Sequence, residues 1–169
     1  VAIMAFGMVY LIAMVEIDLS VGAIYAVAAM VAAMMIQAGI DPWLAVLAAL
    51  VVGVILGAIN ALLTILLDVP LIIITLGTLS AYSGFNLIIS GAHPVFGLPK
   101  EHSFFVIFGG EFLGLPVPTW VMLAIGIILH FVLHRSRFGS TVRAIGSNQH
   151  AAEFIGIRLN RVRVMAMSL

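Results

Sequence analysis

The stretch "WLAVLAALVVGVILGAINALLTILL" (residues 43–67) runs for 25 residues without one charged side chain. As an α-helix at about 1.5 Å per residue, it is longer than the roughly 30 Å hydrocarbon core of a bilayer. In lipid every backbone N–H and C=O must be satisfied within the chain, which leaves helices and closed barrels. The run lacks the every-second-residue alternation of a barrel strand, so it is read as a helix. Similar runs cover residues 20–38, 70–90 and 117–134, and two incomplete ones occupy 1–15 and 164 onward. The chain is 64% hydrophobic and 8% charged, where a soluble domain carries roughly 45–50% and about 25%. The expected fold is therefore all-α: a polytopic transmembrane helix bundle forming a single domain over 1–169, with four complete spans and two truncated ones. A chain that opens and closes inside apolar runs is expected to be an internal piece of a longer membrane protein. No signal peptide is read from it.

Charge orients these spans. Of seven Lys and Arg, six are arginines at 135, 137, 143, 158, 161 and 163, where Glu153 is the one acid. Basic residues accumulate in cytoplasmic loops because carrying them across the bilayer is costly. The loop 135–163 is thus expected to be cytoplasmic, and 91–116 external. By the same alternation, the Asp68–Pro70 turn lies inside and the Gly39–Pro42 turn outside. Residues 16–19 fall inside if 1–15 is a full span. The outer segment "GAHPVFGLPKEHSFFVIFGGEFLGLP" is broken by Pro94, Pro99 and Pro116 yet contains the apolar "FFVIF". It is expected to lie on the membrane surface or pack on the bundle, as a hydrophobic plug or as a docking surface for an external partner.

Within the spans, small residues recur every fourth position at Gly53, Gly57 and Ala61. Such a face lets membrane helices approach closely. Hydroxyls at Thr64, Thr75, Thr78, Ser80 and Ser83 can bond their own helix backbone. Asn60 and Asn86 cannot be excused that way, and each is expected to face a neighbouring helix or a pore. The stretch "MVEIDLSVGAIYAV" interrupts two apolar runs with Glu16, Asp18, Ser20 and Gly22. Asp18 or Ser20 can cap a helix that begins there, and Gly22 permits close approach. Interrupted helices point to a translocation path. The same residues also suit a wetted cytoplasmic turn, and composition leaves both readings open.

Several chemistries are excluded or left unsupported. The chain has no cysteine, so it holds no disulfide, thiolate zinc site or thiol nucleophile. His130 and His134 share a helix face, but no third ligand has metal-binding spacing nearby. No phosphate-binding Gly-Lys-Ser/Thr loop and no Gly-x-Ser-x-Gly elbow occurs. Asp18, Asp41 and Asp68 stand at span ends, which argues against an intramembrane protease. In the arginine loop, "RFGSTVRAIGSNQHAAEFIGI" reads as helix-breaking glycines around a short helix over "QHAAEFI". Ser147 or Asn148 caps that helix and Gly156 stops it. Ala151 and Ala152 are expected to be exposed there, as either a docking helix for a partner or part of an Arg-rich membrane-surface loop.

Four words of the sequence, in order, resemble one family. "EIDLSVGAIYAVAAM" is similar to a Gly-Ile-Asp-Leu-Ser-Val-Gly signature, with Glu16 where Gly is usual. "GAINALLTILLDVPLIIITLGTLSAYSGFNLIISG" is similar to a Gly-x-x-Asn-Gly…Val-Pro-x-x-Ile-x-Thr-Leu-Gly-Thr stretch, with Ala61 for Gly and Leu71 for the usual Pro or Ala-type residue. "FGGEFLGLPVPTWVMLAIG" and "RFGSTVRAIGSNQHAAEFIGI" complete the set. The chain resembles the permease subunits of bacterial ABC sugar importers, the ribose/xylose/galactoside/autoinducer branch, and covers about the middle half of one. The resemblance implies a bacterial inner-membrane location and a pathway formed with a second permease copy, identical or sibling. It also implies cytoplasmic ATP-binding subunits that hold ATP and magnesium, and a periplasmic sugar-binding protein that delivers substrate. The permease itself would bind no cofactor and catalyse nothing, and its surroundings would be lipid, with no role for nucleic acid. Arg143, Gly146, Asn148, His150, Ala151, Ala152, Glu153 and Gly156 correspond to the ATPase-coupling segment. Asp18, Ser20, Gly22, Asn60, Thr75, Thr78 and Asn86 are the expected path residues. The rival readings are a stand-alone secondary carrier or channel, which wants a deep ion-coupling carboxylate, and a membrane-embedded enzyme, which wants a buried catalytic pair.

Overall fold

The computed structural model describes residues 2–169. Its helices in chain order are α1 (Ala2–Ala13), α2 (Val21–Gln37), α3 (Pro42–Leu67), α4 (Leu71–Ser90), α5 (Ser103–Gly109), α6 (Val117–Arg135), α7 (Arg137–Ser147), α8 (Gln149–Phe154) and α9 (Leu159–Met167). The fold is the expected all-α bundle. A hairpin of two-residue strands, β1 (Glu111–Phe112) and β2 (Leu115–Pro116), lies in the 91–116 segment and was not expected. Leu113 and Gly114 turn it with positive φ.

Among the described residues, α3, α4 and α6 are long and apolar enough to cross a membrane, which makes this a multi-pass membrane protein. The fourth expected span, α2, has 17 residues, about 25 Å of helix. It is shortened at both ends. Ser20 is drawn into a side-chain network, and Gly39 at φ +86 closes the other end.

Local chemistry sets these ends. Asp41 accepts a 2.8 Å bond from the Trp43 N–H, and Pro42 supplies the fixed φ suited to a first helical residue. Three helices close on a left-handed glycine, at Gly39, Gly91 and Gly156. At each, paired bonds run back to the last carbonyls, such as Ile40 N to Met35 O and Gly39 N to Ile36 O.

Packing divides the bundle. α2 lies against α3 and α4, around Ala23, Val27 and Tyr82. α1 packs on α6, α7 and α9, and α9 lies along α3. The largest core joins Tyr10, Leu11 and Met14 to Val142, Ile145, Val162 and Met167. Arginines thus flank a packed knot rather than a loose loop.

The 91–116 segment packs on the bundle. Leu98 and Phe105 cover Ala32, Ile36 and Ala45. Trp43 meets Phe104 edge-on at 5.2 Å, its Nε1–H reaches the Ser103 hydroxyl at 3.3 Å, and His102 Nε2 stands 3.2 Å from Asp41.

Candidate functional site

The break between α1 and α2 is where polar groups converge. α1 ends with Glu16 N bonded to Leu11 O and Val15 N to Ile12 O, the same closure as at the three glycines. Here the left-handed position is held by Val15, at φ +61. The chain then runs without helix to Ser20, carrying Asp18 and Ser20 inward, 5% and 0% exposed. The wetted-turn reading therefore fails for Asp18. Neither residue caps in the expected way, since the Ser20 side chain makes no capping bond to α2. Instead, Asp18 Oδ1 accepts from the Ser20 N–H at 2.6 Å and from its hydroxyl at 2.7 Å.

The network continues into the spans. Asn60 Nδ2–H donates to Ser20 Oγ at 2.7 Å, and Asn60 Oδ1 accepts from the Tyr82 hydroxyl at 3.0 Å. Thr75 Oγ1 accepts from the Leu19 N–H at 3.1 Å. Asn60 and Thr75 are fully buried. Such burial is tolerable because the Ser20, Asn60, Thr75 and Tyr82 side chains all find partners.

Asp18, Ser20, Asn60 and Thr75 are thus brought together. Thr78 lies one turn beyond Thr75 and points its hydroxyl at the Thr75 carbonyl, 3.5 Å away. Asn86 is farther along α4, and its Oδ1 is buried with no partner. Gly22 is exposed, and a Cβ there would meet nothing within 4 Å, so close approach is not its role in this structure. On α3, a Cβ at Gly57 would strike the Met167 carbonyl, and Ala61 is fully buried. A Cβ at Gly53 would meet nothing within 4 Å.

The arginine loop differs from the expected pattern. Gly146 does not break a helix; like Gly139 it lies inside α7. They are small for packing, because a Cβ at either would collide with a backbone carbonyl, of Leu133 or of Ala13. Val142 and Ile145 are buried on that face, and Arg143 is exposed on the other. Asn148 is the cap of α8, its Oδ1 accepting from the Ala151 N–H at 2.9 Å. Ala151, His150 and Glu153 are exposed, but Ala152 is 2% exposed and faces the core, which corrects the expected exposed pair. What α8 presents outward is Phe154 and Ile155, 92% and 76% exposed. Beyond them Gly156, at φ +87, turns the chain toward α9.

These two regions touch. Arg163 on α9 pairs with Glu16 in the break: Nε–H donates to Oε1 at 2.6 Å, and Nη2 stands beside the same oxygen. Glu16, Arg163, Thr64, Asp68 and Gln149, the first residue of α8, line one open cleft of about 540 Å³.

Sequence reading missed Tyr82, Arg163, Phe154 and Ile155. Tyr82 was findable, since it stands seven residues after Thr75, on the same helical face. Phe154 was visible as an aromatic in a polar loop. Nothing in the spacing joins Arg163 to Glu16 across 147 positions. His130 and His134 stack at 4.3 Å, with His134 Nδ1 3.0 Å from the His130 carbonyl. Among the described residues no three His, Cys, Asp or Glu side chains gather to hold a metal.

Apolar spans, a buried polar break and an arginine-flanked helical knot define an integral membrane protein. The chain belongs to the family described as branched-chain amino acid transport system / permease component, which it matches over residues 1–169. It is 40% identical over 167 residues to the ribose import permease protein RbsC of Bacillus subtilis, covering 99% of this chain and 52% of that protein. The D-allose transport system permease protein AlsC of Escherichia coli is 40% identical over 152 residues, 89% of this chain and 46% of that one. The autoinducer 2 import system permease protein LsrC of Salmonella typhimurium is 34% identical over 157 residues, 91% and 44% of the two chains. The chain therefore spans about half the length of these relatives. No solved structure matches it.

Proposed function

We propose that the chain forms part of the permease subunit of an ATP-binding cassette importer, carrying a monosaccharide such as a pentose across the bacterial inner membrane. The observation that carries this reading is the family match over the whole chain. The names of the ribose, allose and autoinducer 2 permeases favour a sugar-like cargo. A neutral polyol suits the break, where hydroxyl and amide groups of Ser20, Asn60, Thr75 and Tyr82 outnumber the single carboxylate of Asp18. Thr78, Asn86 and Gly22 extend the proposed path along α4 and the start of α2.

On this reading 135–163 faces the cytoplasm and α8 docks in a groove of an ATP-binding subunit. Phe154 is the apolar anchor, and His150, Ala151 and Glu153 form its polar and small rim. Arg143 lies on the same outward side, while Gly146, Asn148, Ala152 and Gly156 hold the lever's shape. ATP and magnesium belong to that partner, and this subunit is non-catalytic. A periplasmic sugar-binding protein docks on 91–116, and a second permease copy completes the pathway within the lipid.

Uptake of labelled ribose, xylose, allose and leucine by cells with and without the complete gene tests the cargo. The expected result is loss of sugar uptake alone. The family description favours a second cargo, a branched-chain amino acid, which a loss confined to leucine would establish. Uptake unchanged for every solute overturns the permease assignment.

A further inference from the structure

We infer that the Glu16–Arg163 pair is a strut that carries movement of the α8–α9 lever into the polar break. This inference rests on the importer reading above. Both side chains are mostly buried, Arg163 at 17% exposure and Glu16 at 14%. Among the described residues it is the one ion pair of an arginine with an acid. A buried ion pair gives little net stability, because desolvation offsets much of the attraction, whereas removing one partner leaves an uncompensated charge. Such a pair is better placed to fix geometry than to hold a fold together.

What it joins supports that role. Arg163 stands on α9, which the chain reaches directly from α8 through Gly156. Glu16 is two residues from Asp18, the start of the bonded series Asp18–Ser20–Asn60–Tyr82. A continuous chain of contacts therefore runs from α9 through the break to α3 and α4. Glu16 also begins the non-helical segment, where no helical backbone bonds resist displacement. Glu16 Oε2 is buried without a partner, while Oε1 takes both Arg163 contacts. The pair is thus made through a single carboxylate oxygen.

The test uses the complete transporter, with ATPase and binding protein, in proteoliposomes. It reads sugar uptake per ATP hydrolysed. Glu16→Gln and Arg163→Gln are each expected to lower that ratio on the order of tenfold, with ATPase turnover per assembled complex retained. The swapped pair Glu16→Arg with Arg163→Glu is expected to recover most of it. A loss of folded protein would lower uptake and hydrolysis together and leave the ratio unchanged. The absence of cysteine gives a second measurement. Glu16→Cys with Arg163→Cys, bridged by a bis-methanethiosulfonate reagent of the pair's length, is expected to keep the wild-type ratio, because the two ends of a strut move as one. Wild-type ratios in the single variants, no recovery in the swap, or inhibition by the bridge overturns the strut while the importer stands. A wild-type complex that moves no sugar on ATP hydrolysis overturns the importer reading and the strut with it.

Discussion

Val15 occupies a left-handed backbone position at φ +61 in a helix closure that three other helices of this chain give to glycine. A β-branched side chain is crowded there, at a cost of order 1–3 kcal/mol. Its side chain is 78% exposed, so little burial offsets the cost. Val15→Gly is expected to stabilise the complete permease by about 1 kcal/mol, after part of the gain is lost to glycine's freedom in the unfolded chain. Thermal unfolding in detergent checks the sign. Asn60 lies at the opposite extreme, fully buried with both ends of its amide engaged. Asn60→Leu keeps the volume but strips Ser20 Oγ of its donor. The expected loss is on the order of 2 kcal/mol, read by the same unfolding experiment. An unchanged midpoint would mean that Ser20 and Tyr82 find other partners.

Helix contacts follow from where small residues face backbone, not from their spacing alone. Gly53, Gly57 and Ala61 share a four-residue period, yet the two glycines face different surroundings. At Gly57 a side chain would displace α9 through the Met167 carbonyl, while at Gly53 it would project into open space. Gly57→Leu is expected to cost about 1–3 kcal/mol, and Gly53→Leu to stay within about 0.5 kcal/mol. Paired unfolding curves decide this, and equal losses would remove α9 from that face. The same logic explains α7. Gly146 looked like a helix breaker because glycine is a weak helix former, costing about 1 kcal/mol against alanine. Contact with the Leu133 and Ala13 carbonyls outweighs that preference, since any side chain there would push α7 off α6 and α1.

At the scale of the whole molecule, the importer reading places α8 at a protein interface and the break on the translocation path. Phe154→Ser is expected to weaken binding of the ATP-binding subunit about thirtyfold, read by co-purification, since a buried aromatic anchor contributes roughly 2 kcal/mol to an interface. Its 92% exposure predicts an unchanged unfolding midpoint for the permease alone. Ala152→Glu is the contrasting case. That side chain faces the core at 2% exposure, so the variant is expected to unfold rather than merely uncouple. Topology is checked by single cysteines at His150 and Glu153 in this cysteine-free chain. Impermeant thiol reagents are expected to label them only from the cytoplasmic side, and labelling from outside would leave the ATPase nothing to grip.

The amino-acid order alone determined the all-α class, the positions of α3, α4 and α6, and a short helix capped at Ser147 or Asn148 and stopped before Gly156. Those features rest on length, hydropathy, caps and left-handed closures, which act within a few residues of one another. Tertiary structure alone decided that Asp18 is buried, that Ala152 faces inward, that α7 runs through its glycines, and that Arg163 reaches Glu16. Each of these depends on which distant backbone or side chain stands opposite, and no local pattern encodes the partner of a residue 147 positions away.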